Sequence, residues 1–127
     1  MKKKIYMSDL HFEHKLWNSQ MQFQKDELKF FTNRLEEIVI RWTDKDVLKN
    51  VEHFQNVFRI QNNRIDELIH DIHIHEDELV DRTLENPVAI DHVHFEDHTK
   101  QREDIETQNK IFAQLKTEYM EFLRTAM

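Results

Sequence analysis

Residues 10–42 read LHFEHKLWNSQMQFQKDELKFFTNRLEEIVIRW, and one set of positions recurs in them at alternating steps of four and three. The set is Leu10, His14, Trp17, Met21, Gln24, Leu28, Phe31, Leu35, Ile38 and Trp42. A repeat averaging 3.5 residues is the pattern of helices packed side by side in coiled-coil fashion, whereas a half-buried strand alternates with period two. The stretch therefore predicts one long helix with a single inward stripe.

Two later stretches carry the same steps. One runs Val47, Val51, Phe54, Phe58, Gln61, Ile65, Leu68, Ile72, His75 and Leu79. The other runs Asp91, His94, His98, Gln101, Ile105, Gln108, Phe112, Leu115, Tyr119 and Phe122. Two breaks separate the three. Thr43-Asp44-Lys45-Asp46 has the residues of a helix start, with Thr43 or Asp44 as N-cap. Pro87 disfavours helix at Asn86 and suits the first turn of a new one. The expected helices span about 9–42, 45–85 and 88–125. Connections this short make neighbours antiparallel, so the expected fold is an all-α, up-down-up bundle forming one domain over residues 1–127.

Composition agrees. The 127 residues include no glycine, no cysteine and one proline. Tight hairpin turns, glycine-rich phosphate loops, disulfides and thiolate metal sites are thereby excluded. The net charge is −7, and seven acids with no Lys or Arg lie between Asp66 and Asp81. Such a surface repels a phosphate backbone, so no nucleic-acid partner is expected, and it attracts cations or basic partners. No stretch approaches the ~18 apolar residues of a membrane span. The basic start MKKKIYMSDL lacks the apolar stretch of a secretory signal, so the expected location is cytoplasmic.

The polar members of the stripes are the informative ones. Gln24 and Gln61 lie at similar distances on either side of the first break and are expected to pair as an amide layer that fixes register. The histidines differ. Of nine, all but His53 fall near the start of the first helix, the end of the second or the start of the third. An up-down-up bundle puts those three places at one end. His14, His75, His94 and His98 also occupy stripe positions, so they are expected to converge.

Neutral imidazole is a common ligand for Zn, Ni, Cu and Fe, and His94 and His98 have the i, i+4 spacing by which one helix offers two ligands. His14, His75, His94 and His98 are the candidate metal ligands. Glu13, Asp71, Glu76 and Asp97 flank them and could orient the ring N–H groups. The competing expectation is a layer of hydrogen-bonded histidines that serves packing or pH response. His53, His70, His73 and His92 fall off the stripes and are expected in solvent. Glu67 and His70 also point outward in this register.

His73-x-His75-Glu76 and His94-x-x-x-His98 resemble segments of hemerythrin-like cation-binding domains. Those domains are four-helix bundles with further His and Glu ligands. Only three helices are legible here and the remaining ligand spacing does not match, so no family is assigned.

No Ser-His-Asp elbow, P-loop or zinc-protease motif is present, and no enzyme activity is expected. Phe12, Phe23, Phe30, Val39, Val57, Ile60, Ile69, Ile111 and Met120 are large apolar residues off the stripes. Phe23 and Phe30 form a second stripe that a helix of another subunit or another protein could cover. The leading expectation is divalent transition-metal binding at the histidine end. The alternative is an interaction or self-associating module without metal.

Overall fold

The computed structural model describes the backbone of residues 7–85 and 92–126, and the side chains of residues 7–81 and 96–126. It contains α1 (Met7–Arg41), α2 (Lys45–Glu85) and α3 (His92–Ala126). At ~1.5 Å per residue, α1 and α3 are roughly 52 Å long and α2 roughly 61 Å. No strand occurs among the described residues. The three helices pack as an all-α bundle. None is long and apolar enough to cross a membrane.

The turn between α1 and α2 forms for a local reason. Asp44 Oδ1 accepts hydrogen bonds from the backbone N–H groups of Asp46 (2.8 Å) and Val47 (3.3 Å). Asp44 is thus the N-cap, and its charge faces the positive end of α2. Cross-helix contacts fix the directions. Lys25 on α1 pairs with Asp66 on α2 at 2.6 Å, and His14 with Glu76 at 2.5 Å, so numbering rises on one helix as it falls on the other. Between α1 and α3 it rises on both: Glu27 meets Lys116 at 2.8 Å and Trp42 donates its indole N–H to the Ala126 carbonyl at 2.8 Å. This is the up-down-up topology.

The inward stripes are those of the sequence. Every α1 stripe residue from Leu10 to Ile38 is buried, and Trp42 is half-buried at the end. On α2, Val51, Phe54, Phe58, Ile65, Leu68, Ile72 and Leu79 are buried, while Val47, Gln61 and His75 are half-buried. On α3 the buried run is His98, Gln101, Ile105, Gln108, Phe112, Leu115, Tyr119 and Phe122, continuing to Ala126. Asp91 lies outside the described residues, as do residues 88–90 of the expected third helix and the His94 side chain.

The core is zoned along its length. Near the α1–α2 turn, Phe31, Phe54, Phe58, Tyr119 and Phe122 pack ring on ring at 4.9–6.3 Å. Mid-bundle lies the amide layer, and it uses all three helices rather than a Gln24–Gln61 pair. Gln108 Nε2 donates to Gln61 Oε1 at 2.9 Å and to Gln24 Oε1 at 3.4 Å. Gln24 Nε2 donates to Asn109 Oδ1 at 2.7 Å, and Asn109 Nδ2 to Gln20 Oε1 at 3.3 Å. Buried amides are tolerated when partnered in this way. The far end of the core is the histidine end.

Candidate functional site

Among the described residues, His14 on α1 and His98 on α3 are the two buried histidines, 2% and 1% exposed. Their ring centroids are 5.0 Å apart. Trp17, one helical step from His14, packs against both, 5.7 Å from the His14 ring and 4.8 Å from the His98 ring. The Trp17 indole forms an apolar wall on the site.

Each ring is anchored by a carboxylate from another helix. His14 Nδ1 is 2.5 Å from Glu76 Oε2, and His98 Nε2 is 3.1 Å from Glu13 Oε1. A carboxylate only accepts, so these ring nitrogens carry the protons. The lone pairs of the neutral rings then lie on His14 Nε2 and His98 Nδ1. Both of these atoms are buried, and neither has a hydrogen-bond partner among the described residues. Two side chains absent from the sequence expectation complete the shell. Arg102 donates its Nε–H to Glu13 Oε2 at 2.8 Å and also bonds Oε1, while the exposed His11 reaches the other oxygen of Glu76.

The electrostatics follow from this geometry. The Arg102 hydrogen bonds hold the Glu13 carboxyl below its ordinary value, with His98 assisting and partial burial opposing. Burial pushes His98 below the ordinary imidazole value, and only in part does the Glu13 hydrogen bond resist that. His98 is therefore neutral near pH 7, the state in which imidazole ligates.

The unfolded chain binds a proton at His98 near pH 6.5, while the folded chain resists it, so stability falls as pH drops through that value toward 5. The depressed Glu13 carboxyl adds stability that is present above its ordinary value of 4.5 and lost as pH falls through its lower folded value. Melting curves collected from pH 7.5 to 5 should shift steadily downward, and His98→Gln should flatten the slope in that window. An equal slope in the variant would assign the acid sensitivity elsewhere.

The other expected site residues are distributed as follows. His75 with Asp71 and Asp97 lines a groove between α2 and α3, where Gln101 and Asp104 also lie. The His94 side chain lies outside the described residues. His53, His70 and His73 are exposed, and the His92 side chain lies outside the described residues. Glu67 pairs outward with Arg64 at 3.2 Å. Among the described residues no three His, Asp or Glu side chains converge as a preformed metal cage.

Of the off-stripe apolar residues, Val57, Ile69 and Met120 pack against the core. Phe12, Phe23, Phe30, Val39, Ile60 and Ile111 are exposed, with Phe30 at 74%. No protein-family model, curated protein or solved structure matches this chain.

Proposed function

We propose that the histidine end binds a divalent transition metal through His14 Nε2 and His98 Nδ1. The observation that carries this reading is the pair of buried, unpartnered imidazole lone pairs, each on a ring whose other nitrogen is anchored by a glutamate. A carboxylate behind the imidazole is the usual support of a metal-bound histidine, because it fixes the tautomer and raises ligand basicity. Leaving such a polar atom buried and unpaired costs about 1–3 kcal/mol.

The spacing is compatible with a shared ion. With ~2.1 Å from metal to ring nitrogen, two imidazoles on one tetrahedral ion have centroids ~5 Å apart. The rings of His14 and His98 are 5.0 Å apart. His94, one turn before His98 on α3, is the third ligand in this reading, with water completing the set. Zn, Ni, Cu and Fe all accept nitrogen donors of this kind. His75 stays with the α2–α3 groove. The activity proposed is binding alone, with no catalytic step.

The exposed Phe12, Phe23 and Phe30 on α1 favour a second reading, an interaction module whose apolar stripe meets another helix or a second copy. The two readings separate in one titration. A metal that binds only the folded chain stabilises it by about 2.7 kcal/mol at a hundredfold excess over Kd. For this length the melting temperature should rise by roughly 6–10 °C. The rise should fade toward pH 5 as the imidazoles protonate. His14→Ala with His98→Ala should abolish it, and His70→Ala with His73→Ala should leave it intact. No shift with Zn²⁺, Ni²⁺ or Cu²⁺ at pH 7.5 leaves the interaction module as the reading.

A further inference from the structure

The groove between α2 and α3 stands apart from the histidine pair. Asp71 and His75, one turn apart on α2, face Asp97, Lys100, Gln101 and Asp104 on α3, around a cavity of about 280 Å³. Carboxylates alone are an ordinary solvated surface. Gln101 is the member that needs explaining. It is 5% exposed, and neither its Oε1 nor its Nε2 finds a hydrogen-bond partner among the described residues. The mid-bundle amides of Gln24, Gln61 and Gln108 are all partnered. Gln101 thus brings an unused acceptor and an unused donor to the wall of an acidic groove.

We propose that this groove binds a small organic cation carrying two separated ammonium groups, a linear diamine. The charge sign follows from three aspartates against Lys100. The extended shape follows from their placement. Asp97 and Asp104 are two turns apart on α3, ~10.5 Å along the axis, with Gln101 between them on the same face. Asp97 and Asp104 line the same groove at its two ends, so charges spread along a chain can meet both. A six-carbon diamine spans ~9 Å and places an ammonium near each aspartate. The ammonium at the Asp104 end, one turn from Gln101, can also donate to Gln101 Oε1, an acceptor that is otherwise buried unpaired. Lys100 lies three residues after Asp97 and four before Asp104, so its own ammonium is the built-in competitor.

Hexamethylenediamine titrated into the purified chain, followed by backbone amide NMR, tests this. Shifts should localise to residues 71–75 and 97–104. Asp97→Asn with Asp104→Asn should weaken binding by about tenfold or more, since two charge-assisted contacts go. Lys100→Gln should tighten it several-fold by removing the competitor, the opposite of what general unfolding produces. Gln101→Leu should weaken binding without altering its salt dependence, because no charge is removed. Absence of localised shifts at millimolar diamine, equal binding of hexylamine, or affinity unchanged in the double asparagine variant would each overturn the proposal. Tighter binding of a trilysine peptide than of the diamine would assign the groove to basic protein segments, and would overturn it as well. None of these outcomes depends on metal at His14 and His98.

Discussion

Tyr119→Ala is expected to cost about 3–5 kcal/mol of folding stability, the range for removing a fully buried aromatic ring. For a chain of 127 residues that is a fall in melting temperature of roughly 10–20 °C. The side chain is 0% exposed and is ringed by Phe31, Phe54, Phe58 and Phe122, so deletion opens a cavity that three helices line. Its hydroxyl donates to the Phe31 carbonyl at 2.8 Å. That carbonyl also belongs to the α1 hydrogen-bond ladder, so Tyr119→Phe leaves it partnered and should cost only about 1 kcal/mol. Burial pushes the phenol pKa up to about 12, so the hydroxyl remains a donor well into alkaline solution. Thermal melts of the two variants check this. Equal losses would mean that the ring contributes little beyond its hydroxyl.

Gln108 should have the next largest effect, and its size should depend on the partners. Gln108→Leu removes the donor that bridges Gln24 and Gln61, leaving acceptors unpaired on two other helices. One buried orphan costs about 1–3 kcal/mol, and the single variant should lose that order of stability. Converting Gln24, Gln61 and Gln108 together to Leu removes the donors and acceptors of that trio at once, leaves only the half-buried Asn109 Oδ1 to be met by water, and should recover most of the stability that the single variant loses. The amide layer then acts on register: the triple variant should be more stable than the single one yet populate more than one helix alignment or association state. Denaturant melts and light scattering together test the pair of outcomes. A single variant as stable as wild type would show that water replaces the lost donor at no cost.

The fold was legible because one pattern runs through it. Alternate steps of three and four placed every described stripe residue on the interior side of its helix, Gln61 and His75 included as half-buried members. The Asp44 cap was legible from an acid standing just before a helical run. The pairing of helices in detail was not. Gln24 and Gln61 announced a layer, but the bridging role of Gln108 depends on how α3 seats against α1, which stripe positions alone do not determine.

The histidine end was partly legible for the same reason. His14 and His98 were on stripes and are buried together, and their glutamates were named from flanking positions. Arg102 and His11 were not, because each acts through a carboxylate on another helix. Arg102 stands one turn after His98 and Glu13 one residue before His14. That spacing is a usable signal only once the height and rotation of α3 against α1 are known. His75 is on a stripe too, yet it is only half-buried and lines the α2–α3 groove.

Imidazole nitrogen NMR reads the two candidate ligand atoms directly. At pH 7.5, added Zn²⁺ should move the resonances of His14 Nε2 and His98 Nδ1 to the positions of ligated nitrogen. His14 Nδ1 and His98 Nε2 should remain protonated and hydrogen-bonded to Glu76 and Glu13. Ligation confined to the exposed His70 and His73, or no change at His14 and His98 with zinc in excess, would contradict the account.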